Sequence, residues 1–283
     1  MKKIHLVPNI LTAFALICGL FVIFKVAMIP PGQMTEQVLI ATAGLLVLAG
    51  LLDFLDGTVA RIMRAESDFG GIFDSMADAV SWGVAPSVIV LKTMSFEPGT
   101  FESFLVIISC LVYSVCTVMR LVRFNILAKK AMGNHEMELA HQQNFTGLPS
   151  PAAAASIVSL NLLLLSPDFS RFFKISEDIQ TAILFVAMNG VGYCMVSKWK
   201  FPSFKRLRLK VSSFQVIFII VFLAAFVFYG LLNHFAVVFF AISWSYIILG
   251  WILSLARIIA GRKSKALEDF EPESDDLEEE ENE

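Results

Sequence analysis

Apolar residues are gathered into long blocks separated by short polar stretches, and the blocks run to about 20 residues, the length of helix that crosses the hydrocarbon core of a bilayer. The pattern predicts an all-α fold: a polytopic integral membrane protein with about eight transmembrane helices. They fall at roughly residues 9–29, 38–63, 70–92, 103–126, 149–166, 179–197, 212–232 and 234–258. The fifth is the weakest, being short and opening on Pro149-Ser150-Pro151. The last two are joined by a tight turn at Leu232-Asn233-His234. Lys2 and Lys3, ahead of an apolar run from Ile10 to Phe24, imitate a secretory signal. The run is long enough to span and lacks a small-x-small cleavage site before a polar stretch, so it reads as a retained first helix.

Composition agrees, with 57% of the 283 residues hydrophobic and only 17% charged. The net charge of −3 conceals a segregation. Residues 266–283 carry 11 acids and no base, leaving 22 bases against 14 acids, or +8, over residues 1–265. Residues 261–283 hold too little apolar surface to fold and are expected to form a disordered acidic tail. The basic excess lies in loops, where it suits anionic headgroups and phosphorylated substrates. Nucleic-acid binding is not expected of a chain so largely lipid-facing. Four cysteines (Cys18, Cys110, Cys116, Cys194) all fall in apolar runs without CxxC spacing, and read as small core residues.

Loop charge orients the helices. With the N-terminus in the cytoplasm, 18 Lys and Arg lie on that side against three outside (Lys92, Arg171, Lys174), and Lys25 lies within a span. Both termini are therefore expected in the cytoplasm. The basic loop Lys198–Lys210 interleaves cations with Phe201, Phe204, Leu207 and Leu209. It suits the headgroup layer, and equally suits plain topogenic charge. His5, His135, His141 and His234 show no ligand spacing and read as surface or interfacial.

Against this background four aspartates stand out at the cytoplasmic ends of helices two and three. Asp53 and Asp56 are three apart, and Asp74 and Asp78 four apart, so each pair shares a helix face. A short connection at residues 65–69 makes the two helices antiparallel neighbours whose paired faces can close on one site. Carboxylates near lipid are costly and mark function. An oxygen-only ligand set suits Mg²⁺ or Mn²⁺, and two such ions would balance four carboxylates and leave positions for phosphate oxygens. Gly57 and Ala60, three apart, leave a bare strip on helix two that a nucleotide could approach, unless it serves only helix packing. Arg61 can pair with a phosphate. Asp68 reads as a loop residue that caps helix three.

Asp53-x-x-Asp56-Gly57-x-x-Ala60-Arg61, then Gly70, Asp74 and Asp78, makes eight fixed residues over 26 positions. This run resembles the signature of the CDP-alcohol phosphatidyltransferases. The resemblance implies a two-metal membrane site that moves a phosphatidyl group from a CDP-linked lipid to an alcohol and releases CMP. It implies Asp53, Asp56 and Asp74 as metal ligands, and Asp78 as both a ligand and the base on the attacking hydroxyl. Gly57 and Ala60 would face the cytidine and Arg61 the phosphates, and members of the family pair as homodimers.

Further segments are similar to the serine-accepting branch of that family: Pro8-Asn9-Ile10-Leu11-Thr12, Ser81-Trp82-Gly83-Val84-Ala85-Pro86, Arg120-Leu121-Val122-Arg123-Phe124-Asn125, Phe145-Thr146-Gly147-Leu148-Pro149-Ser150-Pro151 and Met195-Val196-Ser197-Lys198. The resemblance implies a catalytic membrane domain over residues 1–210, followed by two additional helices over 211–260 that carry no motif. Its substrates would be CDP-diacylglycerol, bound with help from Asn9 and Thr12, and L-serine. Arg120 and Arg123, three apart on one face, could serve only as positive-inside anchors, but Asn125 and Gly147 fall at the same depth, so these four are the candidates for holding serine. The Phe145–Pro151 loop is expected to act as a lid flexing at Gly147. The competing expectations are another acceptor (glycerol phosphate, inositol phosphate or choline) and a carboxylate-lined cation or proton transporter, which has no need of Gly57, Ala60 and Arg61. An aspartate-rich prenyltransferase fails on the glycine-to-aspartate spacing.

Overall fold

A computed structural model describes residues 6–30, 33–63, 65, 67–94, 99–131, 144–173, 175–197, 199–202 and 228–259 of the chain. Most of the expected seventh span, the acidic tail, the basic loop apart from residues 199–202, and His5, His135 and His141 lie outside the described residues. The order of elements is α1 (Leu6–Ala27), α2 (Glu36–Ile62), α3 (Asp68–Asp78), a π turn (Ala79–Val84), α4 (Ala85–Thr93), α5 (Phe101–Ala131), β1 (Asn144–Thr146), α6 (Ser150–Leu165), α7 (Pro167–Phe172), α8 (Glu177–Val196), β2 (Lys200–Pro202) and α9 (Phe235–Ile259).

Five of these helices are long and apolar enough to cross a membrane: α1, α2, α5, α8 and α9. The chain is thus an integral membrane protein of helical build, but the expected count of eight spans is not confirmed. The third block is broken by the π turn, and the fifth is a helix of only 16 residues. The two strands form a small antiparallel ribbon, Phe145 opposite Phe201, on an otherwise helical fold.

Helix α1 shows how these helices pack. Phe14, Ile17, Phe21 and Phe24 are exposed on one face, while Thr12, Ala15, Gly19, Val22 and Val26 are buried on the other. Large apolar side chains face the lipid position, and small residues let backbones come close, as expected where lipid offers no hydrophobic drive. Gly19 is required at one such approach, because a Cβ there would collide with Ser81 Oγ of the π turn. Helix α1 lies against both α2 and α3, bracing the two helices that carry the aspartates.

The π turn has an identifiable cause. Pro86 has no N–H, so the carbonyl of Trp82, four residues earlier, lacks its helical donor. The chain widens by one residue, with the Ala85 N–H reaching Val80 O. The Tyr113 hydroxyl of α5 then donates to Trp82 O at 2.9 Å, and the Ser87 and Ser114 hydroxyls donate to Gly83 O at 3.0 and 3.1 Å. Every carbonyl named here is paired, and α5 is fastened to the turn that follows Asp78.

Helix α6 lies at the centre, against α2, α4, α8 and α9. Two bonds tie it to its neighbours: Asn161 Nδ2 donates to Thr93 Oγ1 at 2.9 Å, and the carbonyl of Ser156 accepts from Trp244 Nε1 of α9 at 3.1 Å. Helix α9 is therefore bonded into the core of the bundle.

Candidate active site

The aspartates converge. Asp53 and Asp56 sit on the last turns of α2, and Asp74 and Asp78 on α3. Carboxylate oxygens of Asp53, Asp56 and Asp74 all lie within 4.8 Å of one another. Asp78 is the odd member, its Oδ1 accepting a 2.7 Å hydrogen bond from Trp82 Nε1. Helix α3 begins at Ser67, whose Oγ accepts from the Gly70 N–H at 3.1 Å. The cap is thus Ser67 and not Asp68, which is an exposed residue of the first turn, where an acid suits the helix dipole.

Three acids this close repel unless a cation lies among them, and among the described residues no Lys or Arg pairs with them. Asp74 Oδ1 is buried and has no hydrogen-bond partner. Oxygen donors only, mutual closeness and a buried unpaired carboxylate oxygen together fit a hard divalent cation held by Asp53, Asp56 and Asp74. Asp56, the most buried of the set at 5% exposed, receives a 2.5 Å hydrogen bond from Thr12 Oγ1 of α1. The Thr12 hydroxyl is engaged by Asp56 and the Pro8 carbonyl, which makes it a support of the cluster.

The glycines of the motif differ in use. A Cβ on Gly57 would meet nothing within 4 Å, so this glycine seats no neighbouring helix and leaves open space beside the acids. Gly70 is tight: a Cβ would stand 3.1 Å from Ser67 Oγ and 3.2 Å from Asn9 Oδ1, which puts Asn9 against the start of α3. Ala60 is half-buried, and Arg61 is exposed with Nη2 3.4 Å from Thr58 Oγ1.

The arginines of α5 turn inward. Arg120 Nη1 donates to Ser150 Oγ at 2.7 Å and Arg123 Nη1 to the Val196 carbonyl at 2.9 Å. Arg120 Nε and Arg123 Nη2 are buried without a partner. Buried donors of this kind suit an anion. Asn125 Nδ2 donates to Ser75 Oγ at 2.7 Å, tying α5 to α3 beside Asp74.

The family model of the CDP-alcohol phosphatidyltransferases matches residues 5–191. The chain belongs to that family. Similar proteins carry the name CDP-diacylglycerol–serine O-phosphatidyltransferase. One from Helicobacter pylori (strain J99) is 30% identical over 266 residues, covering 94% of this chain and 99% of the relative. One from Bacillus subtilis (strain 168) is 32% identical over 71% of this chain and 92% of its own length. One from Methanocaldococcus jannaschii is 31% identical over 72% of this chain and 77% of its own.

In this phosphatidyltransferase the turn at Gly147, expected to flex as a lid, is bonded to its neighbours. Gly147 has φ +83°, its N–H donates to Trp199 O at 2.8 Å, and the Leu148 N–H donates to Cys194 O at 3.0 Å. A Cβ at Gly147 would collide with the Met195 carbonyl. The segment is pinned to the end of α8 and sets the start of α6, including Ser150. Two residues that the sequence reading left without a role emerge here. Ser75 shares the Asp74 turn, and no sequence signal marked it. Trp82 lies four residues beyond Asp78, a spacing that places it on the same helix face.

Proposed function

We propose that this phosphatidyltransferase moves the phosphatidyl group of CDP-diacylglycerol to the hydroxyl of L-serine, giving phosphatidylserine and CMP. The convergence of Asp53, Asp56 and Asp74 beside the open backbone at Gly57 carries the reaction type. The names of relatives that span most of the chain support serine as acceptor.

Asp53, Asp56 and Asp74 hold a divalent cation, Mg²⁺ or Mn²⁺, and Asp78 shares in a second; bound there, the two ions supply charge neutralisation for the pyrophosphate and its departure. Gly57 and Ala60 receive the cytidine face, and Arg61 pairs with a phosphate. The serine oxygen forms a bond to the lipid-side phosphorus as the bond from that phosphorus to the bridging oxygen breaks. CMP takes the electron pair, and Asp78 takes the hydroxyl proton. The open donors of Arg120 and Arg123 suit the carboxylate of serine. An apolar cleft of about 170 Å³, bounded by Leu46, Gly50, Trp82, Ala154, Val158 and Phe239, suits part of a lipid chain. The site lies at the cytoplasmic surface, with both termini on that side, and serine enters from the cytoplasm.

Purified protein given labelled CDP-diacylglycerol with serine, glycerol phosphate, inositol phosphate or choline tests this directly. Labelled phosphatidylserine with serine, and CMP release without ion flux, is the expected result. A product with another alcohol and none with serine reassigns the acceptor, and no transfer to any alcohol rejects the reading.

A further inference from the structure

Trp82 is buried, at 4% exposed, yet its ring nitrogen is directed at a carboxylate of the site. Its position is set from three sides. Tyr113 holds its carbonyl, the π turn set off by Pro86 sets its direction, and the far edge of the ring rests on α2, where a Cβ on Gly50 would stand 3.3 Å from Cη2. A tryptophan used only for packing keeps its N–H toward any convenient carbonyl. This one donates at 2.7 Å to Asp78 Oδ1, the one aspartate outside the three-way cluster. Indole is a donor only, so it can hold an oxygen without competing for the proton that a base must accept.

We infer that Trp82 is a positioning residue for Asp78: its N–H fixes Oδ1 and so orients the carboxylate, leaving Oδ2 to take the proton of the attacking hydroxyl. This rests on the assignment of Asp78 as base made above. The local architecture serves that bond. The spacing of four keeps the indole on the Asp78 face, and without the Tyr113 hydroxyl the widened turn would hold a buried, unpaired carbonyl. Proton transfer is sensitive to small displacements, so loss of the tether acts on the chemical step more than on binding.

Trp82→Phe keeps an aromatic ring at this position and removes the donor. It is expected to lower kcat about tenfold while KM for serine stays within about twofold of wild type. Gly50→Ala, which presses on the ring edge, is the second variant should Trp82→Phe fold poorly. It is expected to lower kcat in the same way, and the double variant is expected to fall no further than the weaker single one, because both act through one bond. An unaltered kcat in Trp82→Phe, additive losses in the double variant, or a loss confined to KM or to melting temperature would overturn the inference. Wild-type protein with no transfer activity would instead overturn the functional reading, so the two failures are told apart by the unmutated control.

Discussion

Thr12 of the first helix donates a 2.5 Å hydrogen bond to Asp56, 44 residues away, and is itself buried. The partner orients the carboxylate and satisfies one of its lone pairs, so a cation at the cluster meets a ligand already aimed. Removing such a support costs roughly 10- to 100-fold in metal affinity. Thr12→Val, which keeps the shape and removes the donor, should raise the Mn²⁺ concentration needed for half-maximal activity by about tenfold. Thr12→Ser should restore it. A metal titration of the two variants checks this, and equal titrations would deny Thr12 the role.

The four aspartates should divide by function. Asp53→Asn and Asp74→Asn remove ligand charge, so activity and metal affinity should fall together in both. Asp78→Asn should abolish turnover while CDP-diacylglycerol binding largely persists, because the amide cannot accept the proton. Binding of labelled CDP-lipid, measured beside CMP release, separates the two classes. Wild-type metal titration in Asp53→Asn or Asp74→Asn would contradict the ligand assignment.

How far the sequence could be read depended on what each signal measures. The aspartate site was legible because spacings of three and four project side chains onto one helix face whatever surrounds the helix. Hydropathy instead reports exposure to lipid, which is why α6 looked weak. It is enclosed by other helices, and its Ser156 and Asn161 have partners inside the protein. The π turn was foreshadowed only by Pro86 and Gly83. Nothing local indicated that Asn125 would reach Ser75, a contact between helices 50 residues apart. The bonding of the Gly147 turn was hidden for a related reason. Glycine signals freedom in an isolated peptide, but here it answers to a positive φ and a carbonyl in contact.

Arg123 should be a determinant of the acceptor. Its Nη1 is held by the Val196 carbonyl and its Nη2 is buried and open, a geometry that leaves one donor for a carboxylate. Arg123→Ala should raise KM for serine about tenfold or more, with a smaller change for CDP-diacylglycerol, since charge-assisted hydrogen bonds carry the recognition. Steady-state kinetics with each substrate varied in turn decides the matter. The reverse pattern would assign Arg123 to the lipid phosphate.

Gly57 and Gly147 should respond to alanine in opposite ways. At Gly147 the added Cβ meets the Met195 carbonyl on a backbone with φ +83°, so Gly147→Ala should lower stability by about 1–3 kcal/mol and disturb the position of Ser150. At Gly57 the Cβ meets no protein atom, and alanine is the better helix former, so Gly57→Ala should melt no lower than wild type. If that open strip receives the nucleotide, the same substitution should raise KM for CDP-diacylglycerol while leaving KM for serine nearly unchanged. Thermal melts and kinetics on the two variants give the comparison. A Gly57→Ala enzyme with wild-type KM for CDP-diacylglycerol would free this strip of any nucleotide contact.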